Sequence, residues 1–360
     1  MRPNSESAHQ VTFEISSSSS VTNVGIEDGL IRATCHRVTV IPSGREFFVC
    51  VDETATDHIS ASIRELKFQL PEHYHLVSRL MPAGSRVVDL GAHIGTFSLF
   101  CGALGFDVLA VEASPRNAAL LKTSAEMSGF QNIEVVQSAV GETSGFITFL
   151  EAGPYGYVRG GSNDASASEA DIAVRKQTLP QILSDLGWSG INFVKMDVEG
   201  SEIAALRGMA SILRRDSAPV IITESNAHTL GFFGATPRNL LSLLESFGYQ
   251  CYLVDGNRLV SWKSSSLQPI VVQDYVAVKS TPSGFSSLNI VDHLTQDEWI
   301  AKAVAAAQDQ NPLCRSHAGK TLAWAADSIK NDPRVVGCLR QMLNDDDPQV
   351  RTSVSWWSQR

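Results

Sequence analysis

Several things are missing from this 360-residue chain. No apolar run reaches the ~20 residues that a bilayer-spanning helix needs. The amino end has an early arginine but no apolar stretch after it, so a secretory signal is not expected. The six cysteines (Cys35, Cys50, Cys101, Cys251, Cys314 and Cys338) form no Cys-x-x-Cys pair, and several lie in apolar runs. Buried thiols in a reducing, cytoplasmic setting are therefore expected. The net charge is −9 and no Lys/Arg tract stands out. That argues against a nucleic-acid partner, because phosphate neutralisation normally shows as a basic stripe. What is present is 43% hydrophobic residues. This is enough for a sizeable core, in a length that suits one large domain with an appendage.

The most informative stretch is Arg86 to Glu112, RVVDLGAHIGTFSLFCGALGFDVLAVE. It reads as a strand, a turn flanked by Gly91 and Gly95, a helix from Thr96, and a second buried strand ending at Glu112. This is half of a doubly wound sheet, in which ligands bind outside the carboxyl ends of the strands. The glycines do not follow the G-x-G-x-x-G spacing of a dinucleotide site, since a third glycine is lacking. An acid, Asp89, precedes the first glycine and would repel a pyrophosphate. A sulfonium with an amino-acid tail would be tolerated, and Glu112 is placed to accept two hydrogen bonds from ribose hydroxyls. These features favour S-adenosylmethionine over NAD.

Upstream, residues 1–20 are polar and include five consecutive serines, which suggests a disordered tail. Leu30–Ile41 and Glu46–Val51 around Pro42-Ser43-Gly44 read as a hairpin. Helices are expected over Asp57–Leu70 and Glu72–Leu80. Residues 21–85 thus form a hairpin and helical extension that covers the ligand edge of the sheet. Downstream, Ser114 caps a helix opened by Pro115. Strands follow at Ile133–Gln137, Phe146–Leu150 and Ile172–Gln177, with a Gly/Ser/Ala-rich loop over Gly153–Ala170.

A second informative stretch is Ile191 to Gly208, INFVKMDVEGSEIAALRG. It puts Lys195 in a buried strand, Asp197 at the strand end and Glu202 in the first turn of a helix, where the macrodipole favours an acid. Carboxylates grouped at a strand end are costly unless they pair or bind something. Pro219–Thr223 is a fifth core strand, followed by Glu224 and His228. Tyr249–Val254 and Val271–Val278 complete seven main strands, the last pair being able to run antiparallel. The expected fold is α/β: a seven-stranded mixed Rossmann-like sheet of the class I methyltransferase plan, spanning residues 86–279 with helices on both faces. A linker over 280–294 leads to a helical unit over 295–360. There Asn-Asp-Pro and Asp-Asp-Pro punctuate the helices in a faintly HEAT-like way, and Trp356 and Trp357 are read as packing or dimer-contact residues.

The motifs VVDLGAHIGTFSL, VEASP, KMDVEGSE, LRG and VIITES, in this order, resemble the FkbM-type S-adenosylmethionine-dependent methyltransferases over about Glu72–Lys279. His93 departs from the asparagine that the family usually has in the turn. The resemblance implies O-methylation of a hydroxyl on a sugar or natural product. It implies that Asp89, Gly91 and Gly95, with His93 and Thr96, line the methionine end of the cofactor, and that Glu72 lies near it. Glu112, next to Ala113, holds the ribose, and Ser138 or Ala139 lies by the adenine. Asp197 sits between cofactor and acceptor, while Glu224 occupies the acidic position after the fifth strand. Asp197, Glu224 and His228 are the candidate bases, Asp197 first. No metal is expected, since their separation gives no ligand signature. Expected partners are a small hydroxylated acceptor and a second copy in a homodimer, with no nucleic acid or membrane. Two other readings compete. One is a non-catalytic module on the same fold. The other is an N-methyltransferase, against which Asp197-Val198-Glu199-Gly200 stands where an Asn/Asp-Pro-Pro-Tyr/Phe motif would be.

Overall fold

The computed structural model describes residues 12–357 apart from 28, 72, 151–156, 159–170, 264–271, 283, 324, 326–328, 330 and 356. The chain opens with β1 (Thr12–Ile26), β2 (Gly29–Ile41) and β3 (Arg45–Asp52), followed by α1 (His58–Arg64) and α2 (Tyr74–Leu80). Next come β4 (Arg86–Leu90), α3 (Thr96–Leu104), β5 (Asp107–Glu112), α4 (Pro115–Met127) and β6 (Ile133–Gln137). A small sheet holds β7 (Ala139–Val140), β8 (Gly145–Leu150), β9 (Tyr157–Val158) and β10 (Asp171–Gln177). Then follow α5 (Leu179–Asp185), β11 (Phe193–Met196), α6 (Glu202–Gly208), α7 (Ala210–Leu213), β12 (Val220–Asn226), α8 (Ala227–Phe232) and α9 (Pro237–Ser246). The sheet ends with β13 (Gln250–Asp255), β14 (Arg258–Trp262), β15 (Val272–Val278) and β16 (Asn289–Val291). The helical unit comprises α10 (Gln296–Ala306), α11 (Pro312–Ala323), α12 (Pro333–Met342) and α13 (Pro348–Val354).

The large sheet runs β16-β14-β13-β15-β12-β11-β4-β5-β6. The five strands from β6 to β12 are parallel, and β15 turns antiparallel against β12. The expected seven strands are therefore present, with β13 and β15 antiparallel as anticipated. Two more, β14 and β16, widen the edge. β16 lies inside the segment read as a linker, because Asn289–Val291 adds a parallel strand to β14. β4 has β5 on one side and β11 on the other, so the strand order reverses beside it. The crevice for ligands forms at that reversal. The strands are buried on both faces: Val87, Val108 and Phe193 join one apolar cluster, while Val88, Leu109 and Val194 join the other.

The amino-terminal extension departs most from expectation. The serine run is no tail. Residues 12–26 are one long strand paired antiparallel to β2, with its register broken between Ile15 and Ser19. Polar side chains hid a backbone that pairs with β2 on either side of that break, and Phe13 anchors the strand by packing on Phe47 and Phe100. Residues 1–11 lie outside the described part. The three-stranded sheet sits on α3 and α4. Cys50 N donates to Ser124 Oγ at 2.9 Å, Phe48 N donates to Ser128 Oγ at 2.8 Å, and Arg116 pairs with Asp52. Cys35 and Cys50 face each other across β2 and β3 and form a disulfide, so the expectation of six free thiols fails for this pair. The helix expected to reach Leu70 stops at Arg64, and the chain reverses through Leu66 at φ +58°.

In the helical unit α11 begins at a proline, Pro312, and runs to Ala323. One arrangement recurs there. Arg315 donates to the carbonyls of Asp309 and Gln310, and Arg351 does the same to Asp345 and Asp346. Asp-x-x-Pro-x-x-Arg is the shared pattern, each arginine tying down the turn before its own helix. The unit has its own apolar core around Trp299, Leu322, Leu339 and Val350, with Trp357 packed against it. Trp356 lies outside the described residues. No helix among the described residues is long and apolar enough to cross a membrane.

Candidate functional site

The turn after β4 is built for close approach. Gly91 adopts φ +76°, and a Cβ there would sit 1.8 Å from the carbonyl oxygen of Asp197. The tips of β4 and β11 thus touch backbone to backbone. Gly91 N and Ala92 N both donate to Val111 O, at 2.9 and 3.1 Å. Gly95 is equally constrained, at φ +89° with Leu121 Cδ1 2.0 Å from where a Cβ would stand. Gly91→Ala is expected to cost about 1–3 kcal/mol from backbone conformation alone, before the clash with Asp197. Urea unfolding would check this, and an unchanged midpoint would contradict it.

Glu112 closes the turn from the neighbouring strand. Its Oε2 accepts from His93 N at 2.7 Å and its Oε1 from Ser114 N at 2.9 Å. Burial pushes this carboxyl up, and the two backbone donors oppose the shift. His93 itself stands at φ +54°. Its Nε2 lies 3.9 Å from Asp57, the cap of α1. Burial draws the imidazole down, towards the neutral form. Thr96 Oγ1 is 2.7 Å from the hydroxyl of Tyr74.

Lys195 is the hub on the other side. Its Nζ donates to Gly91 O at 3.2 Å, lies 3.3 Å from Asp89 Oδ1 and lies 3.5 Å from Asp197 Oδ2. Burial works against its charge, but the carboxylates of Asp89 and Asp197 outweigh it and lift the ammonium above the ordinary lysine range. Asp89 is 0% exposed and also accepts from Ser98 Oγ at 2.7 Å. It therefore stands behind the turn, joining β4 to α3 and β11. Asp197 keeps 35% of its side chain exposed.

Beyond Asp197 the carboxylates gather. Glu202 Oε1 accepts from Val198 N at 3.2 Å and Gly200 N at 3.1 Å, which fixes the turn after β11. Glu199 sits in that turn at φ +49°. Burial, then the charges of Asp197 and Glu202, push Glu199 up to about 8. Glu202 is pushed up to about 7, mainly by burial. Glu224 is raised by burial and then by Asp197 and Glu199. It stands opposite Asp274 in the β12–β15 pair, and Asp274 Oδ2 is 2.8 Å from His73 Nδ1.

A pH dependence of stability follows. Raised carboxyls bind protons more tightly in the folded chain than in the unfolded one, whose reference value is 4.5. Their contribution is therefore full below about pH 4.5 and is lost as pH rises through about 7 to 8. Melting temperature should fall across this window, and Glu199→Gln should flatten the fall. A melting temperature rising with pH throughout, unaffected by the variant, would count against this assignment.

The structure thus brings Asp89, Gly91, His93, Gly95, Thr96, Glu112 and Asp197 to one end of the sheet, and sets Glu224 in the acidic group beside Asp197. His228 is placed differently. It lies in α8, with its ring 4.5 Å from that of Phe232 and 5.5 Å from that of His317 in α11. Ser138 N donates to Glu112 O at 2.8 Å, while its hydroxyl turns to the carbonyls of Ala139 and Arg175. Ala113 and Ala139 pack together beside Phe149 and Val174. Glu72 lies outside the described residues. Sequence reasoning left Asp57, Tyr74, Lys195, Glu199 and Asp274 without a site role, and read His73 as structural or substrate-side. Lys195 and Glu199 carried a signal, as part of KMDVEGSE. Asp57, His73 and Tyr74 arrive through packing of the extension, and Asp274 through the pairing of β15 with β12. Among the described residues no group of three or more His, Cys, Asp or Glu is arranged to hold a metal ion.

This geometry coincides with the span of a known family. Residues 89–251 match the methyltransferase FkbM domain. The chain carries an FkbM-type methyltransferase domain. The methyltransferase finds no match among curated proteins. It is similar to solved structures of methyltransferases at low identity. One is precorrin-6y C5,15-methyltransferase from Geobacter metallireducens, at 15% identity and TM-score 0.34, covering 58% of this chain and 87% of that one. Another is a TehB-like SAM-dependent methyltransferase from Corynebacterium glutamicum, at 15% identity and TM-score 0.30, covering 58% and 86%. A third is an rRNA methylase from Streptococcus thermophilus, at 10% identity and TM-score 0.34, covering 57% and 92%. In the methyltransferase, the FkbM span begins at Asp89 and ends in β13, so it holds the glycine turn, Glu112, the Lys195 hub and the acidic group.

Proposed function

We propose that this chain is an O-methyltransferase that uses S-adenosylmethionine to methylate a hydroxyl of a sugar or natural-product small molecule. The observation that carries the reading is the turn itself: Gly91 set against the Asp197 backbone, with Glu112 fixed at the end of the next strand by two backbone donors. The residues fit the cofactor. Each Glu112 oxygen holds one donor and keeps a lone pair for a ribose hydroxyl. The acids outnumber Lys195, so a sulfonium and an amino group are favoured at this edge. When bound, S-adenosylmethionine supplies the electrophilic methyl carbon.

The chain's own part is to orient and to take a proton. Asp197, partly exposed beside the turn, accepts a hydrogen bond from the acceptor hydroxyl and fixes its oxygen in line with the methyl. The Asp197 carboxylate would take the hydroxyl proton as the acceptor oxygen displaced S-adenosylhomocysteine from the methyl carbon, and would then lose it to water. Lys195 holds the other face of that carboxylate, so its direction is set before the acceptor arrives. Base assistance of this kind contributes ~100- to 10,000-fold.

Calorimetry with S-adenosylmethionine, S-adenosylhomocysteine and NAD tests the cofactor. The first two should bind and NAD should not. Labelled-methyl transfer to a panel of hydroxylated and amine-bearing small molecules tests the reaction. Asp197→Asn should keep S-adenosylhomocysteine binding and lose ~100-fold or more in turnover. Full turnover in that variant would remove Asp197 from the base role. Label found on nitrogen instead of oxygen would overturn the O-methyl reading.

A further inference from the structure

The helical unit is fastened to the catalytic sheet at two seams. At the first, α10 meets the β13–β14 turn. Arg258 lies 2.6 Å from Asp255 and 2.7 Å from Glu298, and Lys302 reaches Asp255 at 2.5 Å. At the second, α11 packs on α8, the short helix that begins where the Glu224 strand ends. Ala227, at the start of α8, packs on the core of the helical unit. One residue later, His228 meets His317 of α11 with ring centroids 5.5 Å apart. Phe232 stacks edge-on against His228 and leaves 49% of its own surface exposed. Cys314 stands three residues before His317, on the same face of α11, and is half-buried.

We propose that α11 is the acceptor-facing wall of the active site, with His317 and Cys314 the residues by which the helical unit selects the acceptor. This rests on the methyltransferase reading above. The first seam holds the unit at a fixed place on the sheet edge, and the second brings α11 to the end of β12 where Glu224 lies. The charge of Glu224 reaches Cys314: burial raises the thiol first, and the Asp309 and Glu224 carboxylates raise it further. Burial also draws the two imidazoles down, His317 to about 4. His228 lies between Phe232 and His317, so aromatic rings line this seam, and Glu224 presents an acceptor for hydroxyl protons. A cyclic acceptor bearing hydroxyls suits this wall. Its ring packs on Phe232 and His317 while its hydroxyls face Glu224 and Asp197.

The test uses the full chain and S-adenosylmethionine carrying a carbon-13 methyl. Of the free cysteines described, Cys101, Cys251 and Cys338 are buried, so Cys314 is the one that takes a nitroxide label. If α11 faces the reacting edge, the bound methyl resonance is lost with the oxidised label and returns when the label is reduced. His317→Cys in a Cys314→Ser chain should repeat the result. A bound resonance of equal intensity in both label states, at both sites, overturns the proposal. Loss of binding on labelling, with melting temperature unchanged, supports it, because the label then fills the space beside the methyl. No bound resonance in the unlabelled protein overturns the cofactor reading, and this proposal with it. The unlabelled control tells that failure apart from the others.

Discussion

Lys195→Met is expected to remove much of the stability of the catalytic domain. Asp89 is wholly buried beside Ser98 and Lys195, so the substitution leaves a carboxylate in the core without its cation. Breaking a buried pair in this way costs about 3–5 kcal/mol, against a typical margin of about 5–15 kcal/mol for a whole domain. The Gly91 carbonyl loses its donor as well. Replacing both partners avoids the stranded charge. The double variant Asp89→Asn, Lys195→Met should therefore be more stable than Lys195→Met alone, since the new amide oxygen still offers Ser98 an acceptor. Urea unfolding of the three chains checks this. Equal midpoints for wild type and Lys195→Met would mean that Asp89 is not held as an ion pair.

Glu112→Ala is expected to weaken S-adenosylhomocysteine binding by roughly 100-fold or more. The carboxylate has two tasks: it fixes His93 N and Ser114 N, and it faces the position proposed for the ribose. Hydrogen bonds to a charged group contribute about 1.5–3 kcal/mol each, and 1.4 kcal/mol is tenfold in affinity. Losing the ribose contacts and loosening the turn together exceeds about 3 kcal/mol on that scale. Glu112→Gln should fall between, because its amide oxygen can keep one backbone donor while its amino group faces the other. Calorimetry on the three proteins measures it. Wild-type affinity in Glu112→Ala would move the ribose site elsewhere.

Much of this was legible in the sequence where the signal is short-range. The strand, turn and helix from Arg86 to Glu112 show themselves because Gly91 and Gly95 need left-handed backbone and the flanking residues are mostly apolar. The Ser114-Pro115 helix start is of the same kind, and Ser114 Oγ does accept from Asn117 N. The failures have physical causes. Side-chain polarity marked Ser16–Ser20 as a tail, although a strand requires only that backbone groups find partners. The meeting of Lys195 with Asp89 depends on β4 and β11 being neighbours, although they stand far apart in the chain. Tyr74, His73 and Asp57 reach the site only because the extension folds over the sheet edge, and no local pattern records that.

The first strand also bears on how the molecule meets other copies of itself. A fifteen-residue strand at the margin of a sheet is an open row of donors and acceptors, ready to template a neighbour. Here that row is interrupted between Ile15 and Ser19 and is dressed in hydroxyls where it is most exposed. A strange strand laid alongside would find a broken ladder and little apolar surface to bury. The same serines that look like disorder in the sequence thus give the protein a margin that adheres poorly, and they allow a long outer strand to be kept without inviting fibre growth.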